Sequence, residues 1–141
     1  MNDRRALLTT LWIFVTFDYL YCDLIGMMDP AFLSKLLTGV VGTITFTPSF
    51  LLGASILMQI PMGMVLLSHV LAPGANRWVN VVAGMIMTLV QIGSLTMGAP
   101  TSSYLFFSVF EIAATMAIVW LAWTWRATAP AVTPARQPAH G

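Results

Sequence analysis

Charge is scarce in this chain. Only 8% of its 141 residues are Asp, Glu, Lys or Arg and 58% are hydrophobic, whereas a typical soluble domain is about a quarter charged. A soluble protein of this size cannot hide so much apolar surface. Cysteine is scarcer still: Cys22 stands alone, which excludes an internal disulfide and a multi-thiolate metal centre. The net charge is +1, without the clustered Lys and Arg that nucleic-acid capture requires, so no nucleic-acid partner is expected. No metal or cofactor is expected either. The ten methionines, among them Met58, Met62, Met85 and Met87, carry soft thioethers suited to copper(I), but no Cys or His shares their depth, and filling core gaps is the usual use of Met.

What the chain does have is four long apolar runs, at about 6–27, 48–71, 78–97 and 104–125. Crossing a hydrocarbon core takes about 20 helical residues. Lipid offers no partner to backbone N–H or C=O, so runs of this length must close their own hydrogen bonds as α-helices. Arg4 and Arg5 precede the first run as they would in a secretory leader. The run is nevertheless too long, is interrupted by Asp18 and Asp23, and lacks a small-x-small cleavage site, so it is expected to be a retained helix.

The basic residues orient the spans. Arg4, Arg5, Arg77, Arg126 and Arg136 fall on one side of a four-span arrangement and Lys35 alone on the other, which puts both termini and the 72–77 turn in the cytoplasm. Trp78, Trp120, Trp123 and Trp125 gather at that same boundary, where amphipathic rings suit headgroup depth. The expected fold is all-α, an integral membrane antiparallel four-helix bundle formed by one domain, 1–126, with a disordered Pro/Ala-rich cytoplasmic tail at 127–141. The outer segment 29–47 opens with Asp-Pro, places Leu33, Leu36, Leu37 and Val40 at helical spacing, and then alternates through Thr43, Ile44, Thr45, Phe46 and Thr47. An interfacial half-helix followed by an extended piece fits that pattern.

Three ionisable residues interrupt the spans: Asp18, Asp23 and Glu111. A charged side chain at mid-bilayer costs about 2.5 to 3.5 kcal/mol on insertion scales, so each is a functional-site hypothesis. Counting about 1.5 Å per residue from the outer boundary puts Asp18, Gln59, Gln91 and Glu111 in one slab of the outer half, one from each helix. Helical phase supports convergence: Asn80, Gly84, Thr88 and Gln91 form one stripe, and Tyr104, Ser108, Glu111 and Thr115 another. Ser55 and Gln59 lie one turn apart in the second run, and Asp18 shares a face with Tyr21 and Cys22. Pro61 is expected to kink the second helix close to Gln59.

Two readings of this layer stay open. On one, the polar side chains serve only as hydrogen-bonding glue between helices. Alternatively, because no Lys or Arg lies in any span, the acids are carried in the neutral form or hold a cation, a proton or a positively charged ligand.

The stretches Leu11-Trp12-Ile13-Phe14, Asp18-Tyr19-Leu20-Tyr21-Cys22-Asp23 and Met28-Asp29-Pro30 open a broader pattern. It continues in Ile60-Pro61-Met62, Ala75-Asn76-Arg77-Trp78-Val79-Asn80, Gln91-Ile92-Gly93-Ser94 and Phe107-Ser108-Val109-Phe110-Glu111-Ile112. The pattern resembles a family of short bacterial four-helix inner-membrane proteins catalogued as a domain of unknown function. The resemblance implies four helices and a bacterial cytoplasmic membrane, and no activity.

The residues together lead to an expected outer-half pocket for a small cationic or amphiphilic molecule, binding it or transporting it with protons. Its candidate residues are Asp18, Glu111, Gln59, Gln91, Tyr21 and Ser108. No catalytic residue is assigned. Two other roles stay open: an accessory subunit of a larger membrane complex, or self-association through small-residue faces, and an intramembrane enzyme using the two acids for proton transfer.

Overall fold

The computed structural model describes residues 2–97 and 100–125. Arg126 and the expected tail at 127–141 lie outside them. The described chain runs α1 (Asn2–Met28), α2 (Pro30–Leu37), β1 (Val40–Val41), β2 (Ile44–Thr45), α3 (Pro48–Val70), α4 (Pro73–Thr96) and α5 (Ser102–Trp123). Four of these helices, α1, α3, α4 and α5, are long and apolar enough to cross a membrane.

Local chemistry sets the helix starts. Asp29 and Thr47 hold extended backbone and cap α2 and α3, the Asp29 carboxylate accepting from the Ala31 N–H and the Thr47 hydroxyl from the Phe50 N–H. Each is followed by proline at the first helical position, where a missing N–H costs nothing. Thr101 caps α5 in the same way. Between α2 and α3, β1 and β2 pair antiparallel, with Gly39 and Gly42 at φ of 74° and 59° making the tight reversals. The tip of this hairpin is fastened to the end of α4, where Thr43 Oγ1 donates to the Met97 carbonyl at 3.0 Å.

The long helices pack α1 on α3 and α5, and α4 on α3 and α5. Hydrogen bonds tie one end of the molecule together: Arg4 donates to the Leu121 carbonyl and Arg5 to the His69 carbonyl. This is termed the arginine end below; the opposite end, under α2 and the β1–β2 turn, is the hairpin end. At the arginine end the Arg77 guanidinium stacks on both Trp78 and Trp123, 5.6 and 5.4 Å from the ring centroids. Trp78, Trp120 and Trp123 are exposed, but Trp125 is buried in the core with Leu8 and Trp12. It is therefore a core residue and not a boundary ring, because the chain turns inward after α5 ends.

Burial is inverted relative to a water-soluble protein. Phe14, Phe17, Leu20, Leu52, Ile56, Leu89, Phe106 and Val109 are exposed, while Asp18, Ser68, Asn76, Asn80, Thr88, Gln91, Ser108, Glu111 and Thr115 are buried. This is the pattern a protein takes when lipid is its solvent, since lipid solvates apolar side chains as well as a core would and offers polar ones no hydrogen bonds.

The stripe read on α4 lies inside the molecule, and so do Ser108, Glu111 and Thr115 of the stripe on α5, with Tyr104 half-buried. The reading of α3 needs correction. Its buried side is Pro61, Met64 and Ser68, and Gln59, at about 100° per residue, falls about 160° away from Pro61. Gln59 and Ser55 are both exposed. Ser55 satisfies its hydroxyl on its own helix, donating to the Leu51 carbonyl. Pro61 is thus buried on the side opposite Gln59, and α3 continues through it.

Candidate functional site

The segment between α1 and α3 roofs a cavity of about 330 Å³ at the hairpin end. Asp23 and Cys22 come to it from the last turns of α1, Asp29 and Lys35 from the two ends of α2, and Ser94 and Tyr104 from the facing ends of α4 and α5. Phe32 and Phe46 supply apolar wall. Two carboxylates thus stand against one ammonium, among aromatic rings.

A ladder of polar side chains descends from this cavity along the α4–α5 contact. Ser94 and Tyr104 share a hydrogen bond between their hydroxyls, and Ser94 Oγ also reaches Gln91 Oε1 at 3.3 Å. Gln91 Nε2 donates to Ser108 Oγ at 2.7 Å, and Ser108 in turn donates to the Tyr104 carbonyl. Gln91 is 4% exposed and Ser108 2%, while Ser94 and Tyr104 at the cavity are half-buried.

One turn below Ser108 on α5 stands Glu111, only 2% exposed. Its carboxyl lies beside the Tyr19 hydroxyl and within electrostatic reach of Asp18 and Asp23. Asp18 is 8% exposed. Asp18 Oδ2, Tyr19 Oη and Glu111 Oε1 are all buried without a hydrogen-bond partner. Three neighbouring oxygens with that fault are unusual in a native interior, where buried polar atoms are nearly always paired.

Of the residues read from the sequence, Asp18, Gln91, Ser108 and Glu111 are buried, with Gln91 bonded to Ser108 and Asp18 within electrostatic reach of Glu111; none of the four lines the cavity, and Gln59 and Tyr21 are exposed. Tyr21 is 54% exposed. The inward side of α1 runs Leu8, Trp12, Val15, Tyr19; Asp18 sits at its edge, and Tyr21 lies about 160° around the helix from Tyr19. The sequence reading missed Tyr19 and Ser94, and it singled out Asp23 and Tyr104 without placing them among the candidate site residues. Nothing in the sequence located the cavity, because it is made by how segment 29–47 folds over the helix ends.

A family described as Family of unknown function (DUF6326) matches residues 1–132. No curated protein and no solved structure matches the chain.

Proposed function

We propose a binding role for this chain, which belongs to the DUF6326 family of unknown function: it takes a small cationic or amphiphilic molecule into the cavity at the hairpin end. In this reading it is an integral protein of a bacterial cytoplasmic membrane, an antiparallel four-helix bundle with both termini inside. Inverted burial supports the bilayer, and the gathering of Arg4, Arg5 and Arg77 at one end supports that end as cytoplasmic. The hairpin end is then the outer one.

The observation that carries the binding role is the cavity itself. Its volume of about 330 Å³ falls in the range of small-molecule sites, about 300 to 1,000 Å³. Asp23 and Asp29 outnumber Lys35 there, which favours a positive charge, and the rings of Phe32, Phe46 and Tyr104 offer it cation–π contact. Gln91 and Ser108 hold the floor below by hydrogen bonds, and Asp18 and Glu111 serve as deeper charge or proton partners. Gln59 and Tyr21 have no part in it.

The test is calorimetric titration of the full chain in lipid nanodiscs with tetraethylammonium. Saturable binding that weakens about tenfold, 1.4 kcal/mol, in the Asp23→Asn, Asp29→Asn double variant supports the proposal; Asn at position 29 keeps the cap of α2. Affinity unchanged in that variant, or no saturable binding at all, removes it.

A further inference from the structure

We infer that Glu111 carries an exchangeable proton inside the molecule, with Tyr19 and Asp18 as its partners, loaded from the cavity beneath α2. This deepens the binding role above by naming the group through which protons and a bound cation compete.

The inference starts from the three unpartnered oxygens. Asp18 Oδ2 and Tyr19 Oη come from α1 and Glu111 Oε1 from α5, two helices in contact. An unsatisfied buried polar group costs about 1 to 3 kcal/mol, and more if charged, so the fold implies a missing partner. The groups that could supply one are few. From α1 come Asp18, Tyr19, Cys22 and Asp23; from α5, Tyr104; from α4, only the neutral Gln91 at this level. His69 of α3, Arg77 of α4 and Arg4 and Arg5 of α1 are at the arginine end, and Lys35 of α2 is in the cavity wall. Among the described residues, then, no base stands in this layer.

Charge decides what the partner is. Ionised carboxylates are acceptors only, so the two acids lack donors, and the Tyr19 hydroxyl beside Glu111 is the nearest one available. A water molecule would add donors but would leave two negative charges in an apolar interior, where an uncompensated ion is strongly unfavourable. A bare alkali cation must have its whole hydration shell replaced by protein oxygens. Here the Glu111 carbonyl is already taken by Thr115 Oγ1 at 2.9 Å, which leaves carboxylate and phenol oxygens alone to replace that shell. A proton on the Glu111 carboxylate removes one charge and creates the missing O–H donor in a single step.

The route for that proton is the polar ladder. Tyr104 and Ser94 line the cavity, Gln91 and Ser108 continue it inward, and Ser108 stands one helical turn from Glu111. A water bridging Ser108 and Glu111 would find polar partners on both sides. Loading breaks one O–H bond of a hydronium ion in the cavity, leaving water, and forms one O–H bond on the Glu111 carboxylate; release reverses both changes.

Dicyclohexylcarbodiimide, an apolar reagent that adds to protonated carboxyls, tests this on the unmodified full chain in nanodiscs by peptide mass mapping. The expected result is a label on Glu111 that falls about tenfold per pH unit above its midpoint, is absent in Glu111→Gln, and has its midpoint moved to higher pH in Tyr19→Phe, which takes away the donor to the anion. Labelling confined to Asp18 or Asp23, no label on Glu111, a label insensitive to pH, or protection by sodium at constant pH overturns it. A titrating Glu111 label with no tetraethylammonium binding keeps the proton site and removes the cavity ligand; binding without the label does the reverse.

Discussion

The two ends of the molecule bury polar side chains differently, although unpartnered atoms occur at both: Arg5 Nε and Arg77 Nε at the arginine end, and Thr9 Oγ1 near it, also lack a hydrogen bond. At the arginine end Trp12, Ser68, Asn76 and Asn80 are each 0% exposed, and they satisfy one another. Trp12 Nε1 donates to Asn80 Oδ1 at 2.7 Å and Ser68 Oγ to the same atom at 3.0 Å, while Asn80 Nδ2 donates to the Asn76 carbonyl and side-chain oxygens. Asn76 Nδ2 completes the circuit on the Ser68 carbonyl at 2.6 Å. At the hairpin end Asp18 and Glu111 are almost as deeply buried, yet each keeps an oxygen without a partner, as does Tyr19. The contrast lies in the side-chain types. Amides, hydroxyls and indoles carry donors as well as acceptors and can close among themselves; carboxylates bring acceptors alone. The amide circuit ties helices together, while the two carboxylates leave acceptors open.

The sharpest way to break this contrast is to open the closed end. Asn80→Ala strips partners from Trp12, Ser68 and Asn76 at once, leaving buried donors with nothing to bond. The expected loss is about 3 kcal/mol, summing several groups at roughly 1 kcal/mol each, read as the shift in unfolding midpoint in mixed micelles. A loss below about 1 kcal/mol would mean that the circuit is ornamental to stability. Gly84→Ala comes next. A methyl group there would sit 2.7 Å from Val119 Cγ2 and 3.3 Å from the Thr115 carbonyl, forcing α4 and α5 apart where Thr88 Oγ1 bonds Thr115 Oγ1 at 2.8 Å. Overpacking of this kind costs about 1 to 3 kcal/mol, by the same measurement.

How much of this was readable in advance follows from the solvent. In lipid, apolar residues sit on both faces of a helix, so hydrophobic periodicity is silent and only polar residues mark the inside. The stripes on α4 and α5 stand out because each contains four small or polar side chains at helical spacing. On α3 just Ser55 and Gln59 were available as markers, and Ser55 bonds its own helix, so the phase came out reversed. Trp12 reads as an ordinary apolar residue of its run and Trp125 as a boundary ring, and only packing reveals that the one donates to Asn80 and the other fills the core. The four long helices follow from composition alone; the cavity does not, since Asp23, Asp29 and Lys35 meet only once α2 has folded back over the helix ends.

At the hairpin end the same kind of substitution should behave differently. Glu111→Gln replaces an acceptor-only group by an amide that brings its own donors to Tyr19 and Asp18. Stability is expected to change by no more than about 1 kcal/mol, with an increase as the natural direction, because the variant removes a buried charge and supplies the missing donor. Unfolding in mixed micelles reads it beside Asn80→Ala. A loss as large as that of Asn80→Ala would show that Glu111 is held by bonds the structure does not contain, and the contrast between the two ends would collapse.

The smallest effect is expected outside both regions. Gln59 is exposed on α3, on the side turned away from Pro61, Met64 and Ser68, so in a bilayer its amide faces lipid. Gln59→Leu removes no protein hydrogen bond and exchanges a polar group for one that lipid solvates better. It should leave unfolding within about 0.5 kcal/mol of the parent chain and leave both tetraethylammonium affinity and carbodiimide labelling of Glu111 unchanged. A weakened affinity in Gln59→Leu would put that amide inside the binding site. The interior would then have to include the outer face of α3, which a second copy of the chain packed against that face could bring about.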